Sequence, residues 1–235
     1  MPEISVCMPC YNAGKYIEEC IESVLNQSFP DFEFVIVDDG STDHTADIVR
    51  NYSDSRIRLV EKEHDYIQSL NTSILLAEGK YIARMDSDDV MMPDRLLIQY
   101  NYLENHPHID LIGGGFEYFG NRQGFFSPAI NASPITMEEM LENDIIAHPT
   151  VMIRKEAFSK IPVMYEEEYK YAEGYKLWMT MLAHGLVLDN IPDILIKYRV
   201  SHAQNSLKNS NLKRKITEMI KNEYGKTNDH HTVSE

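Results

Sequence analysis

The alternation of short apolar runs with longer amphipathic segments over the first hundred residues restricts the fold more than any other feature. Residues 34–37 form a continuous apolar run, which is typical of a strand buried on both faces. Between such runs, apolar residues recur at helical spacing, as at positions 17, 20, 21, 24 and 25. This pattern predicts an α/β fold with a mainly parallel central sheet flanked by helices.

The same patterns predict elements along the whole chain. Strands are expected over residues 4–8, 34–37, 56–60, 81–83, 111–119, 186–188 and 194–198. Helices are expected over residues 17–25, 43–52, 67–75, 138–141 and 176–184. A further helix is expected to start at Pro93, because proline is favoured at the first helical position. Residues 125–134 are expected to form a loop, since prolines occur at positions 128 and 134.

The charge balance limits which ligands the surface can attract. Asp and Glu together number 37 against 22 for Lys and Arg, which gives a formal net charge of −15. Such a surface repels a phosphate backbone, so we expect no nucleic-acid partner. An acidic chain can still bind an anionic ligand when a divalent cation lies between protein and phosphate.

Membrane and cysteine patterns predict a cytoplasmic protein. The chain has no run of 18 apolar residues, and its first residues show no signal-peptide pattern. Cys7, Cys10 and Cys20 form an odd, clustered set, which suits a reducing compartment better than a disulfide framework. A thioredoxin-like redox site is disfavoured, because Cys7 falls within a predicted strand and residues 12–14 separate Cys10 from the next helix.

Two carboxylate clusters follow predicted strands. Residues 38–43 read Asp-Asp-Gly-Ser-Thr-Asp, and residues 86–89 read Asp-Ser-Asp-Asp. Open α/β sheets bind ligands at the carboxyl ends of their strands, so both clusters lie where chemistry is expected. A turn followed by a helix N-cap would also explain the first cluster, and both interpretations stay open. The second cluster offers oxygen ligands on alternate residues, which suits a hard cation that also holds phosphate.

Several segments, taken in order, resemble glycosyltransferase family 2, whose members adopt the GT-A (nucleotide-diphospho-sugar transferase) fold. Residues 6–12 (VCMPCYN), 23–28 (SVLNQS) and 37–43 (VDDGSTD) are similar to its opening, and residues 77–89 (AEGKYIARMDSDD) and 93–96 (PDRL) to its nucleotide-sugar and metal segment. Residues 148–152 (HPTVM), 176–178 (KLW) and 198–199 (YR) resemble acceptor-side landmarks of bacterial polysaccharide and lipooligosaccharide transferases. The resemblance covers nearly all of residues 3–206.

On the donor side, the resemblance implies roles for single residues. Pro9, Tyr11 and Asp39 would hold the uracil of a UDP-sugar, with Tyr11 offering a ring face and Asp39 accepting a hydrogen bond from the base. Asp86 would face the ribose and the metal shell, and Asp88 would ligate Mn²⁺ or Mg²⁺.

Histidines receive different interpretations. His202, downstream of Tyr198 and Arg199, resembles a further metal ligand found in some family members, and a solvated surface histidine is the alternative. His148 would line the acceptor pocket or simply precede a strand. His64 is expected at the surface.

The catalytic base is the point where the sequence departs from the family pattern. Relatives carry Glu-Asp ahead of the Tyr-x-Leu-Trp segment, and that Asp is their base, whereas this chain has Glu173 followed by Gly174. Glycine cannot accept a proton. The resemblance therefore leaves three alternatives: Glu173 takes the role, another carboxylate such as Glu168 serves, or the enzyme is impaired. We take Glu173 as the candidate base.

The activity implied by the resemblance is that of an inverting, metal-dependent hexosyltransferase. It would move GlcNAc, GalNAc or galactose from a UDP-sugar to a hydroxyl of a growing cell-surface glycan (lipooligosaccharide, capsule or exopolysaccharide), free or lipid-linked. Residues 1–206 would form a single catalytic domain, with a nucleotide-sugar-binding half at 1–105 and an acceptor half at 106–206. The alternative is a catalytically impaired UDP-sugar-binding homologue that acts as an assembly partner.

Residues 207–226 form a separate basic unit, ahead of a tail at 227–235. Six Lys and Arg residues outnumber two Glu residues there, and apolar residues at positions 212, 216, 219 and 220 recur at helical spacing. This predicts a basic amphipathic helix. It would either contact anionic lipid at the inner face of the cell membrane or pack on the catalytic domain with its lysines solvated.

Overall fold

Strands and helices alternate through the first half of the computed structural model, which describes residues 1–128, 134–201 and 209–228. The strands are β1 (Ile4–Cys10), β2 (Phe32–Asp38), β3 (Ile57–Glu61), β4 (Tyr81–Arg84), β5 (Val90–Met91), β6 (Leu111–Gly120), β7 (Gly124–Phe126), β8 (Met152–Arg154) and β9 (Leu188–Val200). The α-helices are α1 (Ile17–Leu25), α2 (Thr45–Arg50), α3 (Tyr66–Leu76), α4 (Arg95–Asn105), α5 (Met137–Glu142), α6 (Glu173–Ala183) and α7 (Ser210–Asn228). Short 3₁₀ helices lie at His148–Thr150, Lys155–Lys160 and Glu167–Tyr169.

All strands join one sheet in the order β3-β2-β1-β4-β8-β6-β9-β5, with β7 paired to β6. The first four strands of this order are parallel. Beyond them the sheet is mixed, because β8 runs antiparallel to both β4 and β6. The predicted α/β fold with a central sheet flanked by helices is confirmed. Since β1, β2 and β4 are parallel, their carboxyl ends meet at one edge of the sheet.

Apolar side chains cover both faces of this sheet. Val6 and Met8 of β1 belong to a core cluster that includes buried residues of α1 and α4. Cys7, between them, belongs to a second cluster that includes buried residues of α3 and α6, with Trp178 fully buried. Successive strand residues point to opposite faces, which explains the division. Ligands therefore reach the sheet at its edges.

The long strand β9 differs from the prediction of two strands at 186–188 and 194–198. Its pairing with β6 shifts register between Gly113 and Gly115 and again between Gly115 and Phe116. These irregularities let one strand run through Pro192, which has no N–H to offer to the ladder. The strand therefore continues where the sequence pattern indicated a break.

Two other predicted elements also differ. The predicted loop at 125–134 begins with β7, which pairs antiparallel with β6, while residues 129–133 lie outside the described ranges. Helix α4 begins at Arg95 with Asp94 as its N-cap residue, so Pro93 precedes the helix. The backbone carbonyl of Pro93 instead accepts a hydrogen bond from the Ser28 N–H at 3.0 Å.

The basic helix α7 packs on the rest of the protein. Ile220 is fully buried in the second core cluster. The Lys176 ammonium of α6 lies 2.5 Å from the Glu223 carboxylate, and the Thr180 and Tyr224 hydroxyls are 2.9 Å apart. The predicted packing of this helix on the domain is therefore present. In the part of the chain that the structure describes, no helix is long and apolar enough to cross a membrane.

Candidate active site

A cleft of about 860 Å³ opens at the carboxyl edge of the sheet. Its wall takes residues from the segments that follow β1, β2 and β4, from the start of α6, from β6 and β9, and from the first turn of α7. The lining includes the predicted site residues Tyr11, Asp39, Asp86, Asp88 and Glu173. Pro9, in contrast, is buried within β1 and is not one of the lining residues.

Asp39 is the most firmly held carboxylate of the cleft. Its side chain is 1% exposed. Oδ1 accepts hydrogen bonds from the Asp65 N–H and the Ser69 hydroxyl, both at 2.7 Å. Oδ2 lies 2.8 Å from His64 Nδ1. The carboxylate is therefore fixed in position before any ligand arrives.

His64 lies in the cleft wall, where the sequence analysis expected only a surface residue. Its ring stacks on the Tyr11 ring with the centroids 4.2 Å apart and the planes at 30°. About half of the His64 side chain stays exposed. Tyr11 and His64 together form an aromatic surface beside Asp39, which suits a flat heterocycle. His64 follows the carboxyl end of β3, and this position in the sequence was the signal that could have predicted its place in the cleft.

The cluster at 38–43 divides into two roles. Asp43 Oδ1 accepts from the Thr45 N–H at 3.0 Å, and Asp43 Oδ2 accepts from the Gly14 N–H at 3.0 Å. Asp38 accepts a 2.5 Å hydrogen bond from the Ser41 hydroxyl. These two carboxylates therefore hold the loop, as the turn interpretation proposed, but the N-cap residue of α2 is His44 and its side chain makes no cap hydrogen bond. Asp39 alone of the three lines the cleft.

The cluster at 86–89 also divides. Asp86 and Asp88 line the cleft, whereas Asp89 is fully buried and accepts from the Arg199 N–H at 2.8 Å. Burial and the nearby carboxylates of Asp86 and Asp88 raise the pKa of Asp89 well above its usual value. Arg199 also donates from Nε to the Asp88 carbonyl at 2.7 Å, so β9 fixes the backbone of this loop.

The donor atoms of Asp86 and Asp88 fit a hard divalent cation. Within residues 1–128, 134–201 and 209–228, no three His, Cys, Asp or Glu residues form a group that could hold a metal ion. Mn²⁺ and Mg²⁺ commonly take one or two carboxylates and complete their shell with substrate phosphates and water. Two carboxylates on alternate residues of one cleft wall meet that requirement. His202, the other predicted ligand, lies outside the described residues.

Arg84 lies beneath the two carboxylates and is almost fully buried. Its Nη2 is 2.5 Å from Asp86 Oδ1, while Nε and Nη1 are buried without a hydrogen-bond partner among the described residues. Burial opposes its charge, but Asp86 and Tyr66 outweigh that effect and raise the pKa of Arg84 above its usual value. Arg84 therefore brings a fixed positive charge to a cleft lined by acids.

Glu173 is the first residue of α6, which begins three residues earlier than predicted, and its side chain is 10% exposed. Oε1 accepts from the Tyr66 hydroxyl at 3.2 Å and lies 4.0 Å from His148 Nδ1. Oε2 is buried and has no hydrogen-bond partner in the described parts of the chain. Glu168, the other predicted carboxylate, is exposed and does not line the cleft.

Gly174 is a glycine for a reason visible in the packing. A Cβ atom at this position would lie 2.9 Å from His148 Cγ and 3.1 Å from His148 Cδ2, closer than real side chains approach. His148 is itself held by the Tyr165 hydroxyl, 2.8 Å from its Nε2. Burial and the Arg84 charge lower the pKa of His148 well below its usual value, so its ring is neutral at pH 7. The histidine thus fills the space that a side chain at position 174 would need.

Sequence reasoning named Tyr198 and Trp178 within acceptor-side motifs but missed the aromatic group of the wall to which Tyr198 belongs. It consists of Phe116 and Tyr118 on β6, Phe126 on β7 and Tyr198 on β9, with ring centroids 4.8–6.0 Å apart. The Trp178 indole nitrogen, also in the cleft wall, is buried without a hydrogen-bond partner among the described residues. The alternation of aromatic residues at 116 and 118 along one strand was the only local signal.

A family model described as Glycosyl transferase family 2 matches residues 5–162. An uncharacterised glycosyltransferase of Haemophilus influenzae is 31% identical over 236 residues, which covers 94% of this chain and 73% of that protein. The Escherichia coli UDP-Glc:alpha-D-GlcNAc-diphosphoundecaprenol beta-1,3-glucosyltransferase WfgD is 30% identical over 215 residues, or 90% of this chain and 83% of that protein.

Among solved structures, the crystal structure of S. aureus TarS in complex with UDP superposes with a TM-score of 0.73 at 26% identity. The superposition covers 85% of this chain and 61% of that chain. The chain therefore spans less than two thirds of this solved neighbour.

Proposed function

The chain belongs to glycosyl transferase family 2, and on this premise we propose that it transfers a sugar from a UDP-sugar to a hydroxyl of a cell-surface glycan. One observation carries the proposal. A single cleft brings together a fixed carboxylate beside an aromatic surface, the two carboxylates of Asp86 and Asp88, and a buried glutamate with one oxygen unpartnered among the described residues. These are the three parts that sugar transfer from a nucleotide needs.

The donor proposed is a UDP-sugar. The carboxylate of Asp39 can accept the N–H of uracil, and Tyr11 with His64 offers the base a ring surface. TarS, which is similar in fold, was solved with UDP, and the name of the E. coli relative specifies UDP-Glc. The proposed sugars are GlcNAc, GalNAc and galactose, and glucose joins them through that relative.

The proposed reaction inverts the anomeric carbon in one displacement. The acceptor O–H gives its proton to Oε2 of Glu173, and the acceptor oxygen uses its electron pair to form the new bond to the anomeric carbon. The bond from that carbon to the diphosphate breaks at the same time, and its electrons leave with UDP. Glu173 performs this role in place of the carboxylate that relatives carry one position later.

Asp86 and Asp88 would hold the divalent cation, Mn²⁺ or Mg²⁺. When bound, the cation supplies Lewis-acid stabilisation of the negative charge that develops on the departing diphosphate. Arg84 places the Asp86 carboxylate through a 2.5 Å ion pair, and Arg199 anchors the Asp88 backbone. The Asp86 carboxylate and the Asp88 backbone are therefore each held by an arginine of the protein itself.

The acceptor is proposed to bind to the half of the chain formed by residues 106–206, with the donor on residues 1–105. Helix α7 adds Asn209 and Lys213 to the cleft wall, and it exposes basic residues together with Leu212 and Met219. We propose that this face lies against anionic lipid at the inner face of the cell membrane, so that a lipid-linked acceptor can reach the cleft.

A second candidate function is a UDP-sugar-binding assembly partner without transferase activity, which Gly174 suggested. The contact between Gly174 and His148 weakens that reading, because it gives the glycine a structural reason. The two functions differ in outcome: the partner would bind UDP with a cation and release no product from any donor.

The test is UDP release from UDP-GlcNAc, UDP-GalNAc, UDP-Gal and UDP-Glc with Mn²⁺ and a panel of glycan acceptors. We expect release with one donor and its loss in Asp88→Ala. Asp31→Ala, which removes an exposed carboxylate outside the cleft and outside the family motifs, is the matched control and should keep the rate. Binding of UDP without release from any donor would favour the assembly partner. No binding of UDP would contradict both functions.

A further inference from the structure

Tyr66 connects the two sides of the cleft, although neither the family pattern nor the sequence analysis gave it a role. It is the first residue of α3 and lines the cleft. Its N-cap neighbour, Asp65, accepts from the Gln68 N–H at 3.0 Å and donates its own N–H to Asp39 Oδ1 at 2.7 Å. The start of α3 is thus fixed on the carboxylate proposed to bind the nucleobase.

The hydroxyl of Tyr66 lies between a base and a cation. It is 3.2 Å from Glu173 Oε1 and 3.5 Å from Arg84 Nη2. Arginine can only donate, so the Tyr66 oxygen accepts from Arg84 and its proton points to Glu173. Burial and the Glu173 charge raise the pKa of Tyr66 well above its usual value, so this proton stays on the oxygen.

The hydrogen bond from Tyr66 makes the two carboxylate oxygens of Glu173 different from each other. Oε1 is occupied by the Tyr66 hydroxyl, with His148 Nδ1 at 4.0 Å, whereas Oε2 is buried and without a partner among the described residues. A carboxylate held by one oxygen keeps the other in a defined direction. Glu173 lines the cleft, and a buried carboxylate oxygen without a partner is a place to which a ligand hydroxyl can donate.

We infer that Tyr66 is the positioning residue of the proposed base: its hydroxyl holds Glu173 Oε1 so that Oε2 faces the acceptor hydroxyl. The same hydroxyl is tied through Arg84 to Asp86, so the base and the cation-binding carboxylates belong to one hydrogen-bonded chain. This inference rests on the proposed function and deepens it, because it names a group that sets the geometry of the proton transfer.

The test is Tyr66→Phe, which removes only the hydroxyl. We expect kcat to fall about tenfold, because misplacement of a catalytic group by a fraction of its reach costs up to about 100-fold. The KM for the UDP-sugar should stay within about twofold of its original value, since Asp39 is untouched. Tyr102→Phe removes a hydroxyl that donates to Asp189 outside the cleft at 2.8 Å, and it should leave kcat unchanged.

A double-mutant cycle with Glu173→Ala separates positioning from general damage. In the Glu173→Ala background, adding Tyr66→Phe should lower kcat no further, because the group that Tyr66 positions is gone. The inference would be overturned if the kcat losses of the two single variants multiplied in the double variant, or if Tyr66→Phe alone left kcat unchanged.

The same four proteins are compared by thermal unfolding, which does not depend on activity. The Tm loss caused by Tyr66→Phe should shrink to less than about half in the Glu173→Ala background. Equal Tm losses in both backgrounds would overturn the contact itself. A third outcome is a smaller Tm loss in the Glu173→Ala background together with no sugar transfer by the unmodified chain. That outcome would confirm the contact between Tyr66 and Glu173 but contradict the proposed function, and with it the positioning role of Tyr66.

Discussion

The nucleotide side and the acceptor side of the cleft differ in how many contacts the protein itself makes to the central carboxylate. On the nucleotide side, Asp39 Oδ1 accepts two hydrogen bonds and the Tyr11 ring is stacked on His64, while Asp39 Oδ2 lies 2.8 Å from His64 Nδ1 and has no hydrogen-bond partner among the described residues. On the acceptor side, Glu173 Oε2 and the Trp178 indole nitrogen are buried without partners among the described residues. Buried polar groups are nearly always bonded in folded proteins, so Asp39 Oδ2 on one side and Glu173 Oε2 on the other are the positions that a ligand would complete.

This difference predicts which property a substitution on each side will change. A change on the nucleotide side removes contacts that the protein makes by itself, and we expect it to alter both affinity and stability. A change on the acceptor side removes groups that are used only when substrate is present, and we expect it to alter the rate with little loss of stability.

The largest expected effect is a loss of kcat caused by a substitution on the acceptor side. Glu173→Gln keeps the shape of the side chain but removes its ability to accept a proton, so kcat should fall by about 10²- to 10⁴-fold. UDP affinity, measured by isothermal titration calorimetry, should stay the same because the nucleotide side is unchanged. Retention of the full rate would show that another group is the base.

The next largest expected effect is a loss of UDP affinity caused by a substitution on the nucleotide side. Asp39→Asn replaces one carboxylate oxygen by an NH₂ group. At the Oδ1 position this group would face the Asp65 N–H and Ser69 hydroxyl donors, and at the Oδ2 position it would face the proposed uracil N–H. UDP affinity should fall by about 10- to 100-fold, consistent with about 1.5–3 kcal/mol for a hydrogen bond to a charged group. Thermal unfolding of the same variant should show a lower Tm. An unchanged Kd would place the nucleobase elsewhere.

A stability effect tests the packing of α6 against the 3₁₀ helix at His148–Thr150. Gly174→Asp forces a Cβ to within 2.9 Å of the buried His148 ring, and overpacking of this kind costs about 1–3 kcal/mol. We expect a lower Tm, and we expect the added substitution His148→Ala to recover part of it. Gly225→Asp, at a position with open space around its Cα, serves as the control. A Gly174→Asp protein as stable as the original would contradict the packing account.

The smallest expected effect is a modest loss of UDP affinity when the aromatic surface of the nucleotide side is reduced. His64→Ala removes the ring that stacks on Tyr11 and lies beside Asp39 Oδ2. An aromatic pair contributes about 0.5–1.5 kcal/mol beyond its buried area, so UDP affinity should fall by about 2- to 10-fold. His106→Ala, a histidine ring stacked on Tyr102 away from the cleft, should leave UDP binding unchanged.

The nucleotide side was largely predictable because its residues directly follow strands. Tyr11, Asp39, Asp86 and Asp88 follow β1, β2 and β4 within a few positions, and parallel strands bring their carboxyl ends together. The position after a strand could not by itself decide which carboxylate of each cluster faces the cleft, and Asp39, Asp86 and Asp88 were singled out by the family resemblance. That choice depends on loop hydrogen bonds such as that of Asp43 with Thr45.

The acceptor side was less predictable because its contacts join distant parts of the chain. Tyr66 and Glu173 are separated by 107 positions, and the approach of Gly174 to His148 depends on how α6 meets the turn before β8. No local period encodes such a contact. The glycine was therefore open to interpretation as a lost base until the packing gave it a structural reason.

The most direct measurement is a crystal structure of the chain with UDP and Mn²⁺. We predict that uracil lies against Tyr11 with its N–H on Asp39, and that the diphosphate points toward Asp86 and Asp88. Glu173 Oε2 should face the space beyond the diphosphate, open to an acceptor hydroxyl. UDP bound away from Asp39, or a diphosphate pointing away from Asp86 and Asp88, would contradict the account.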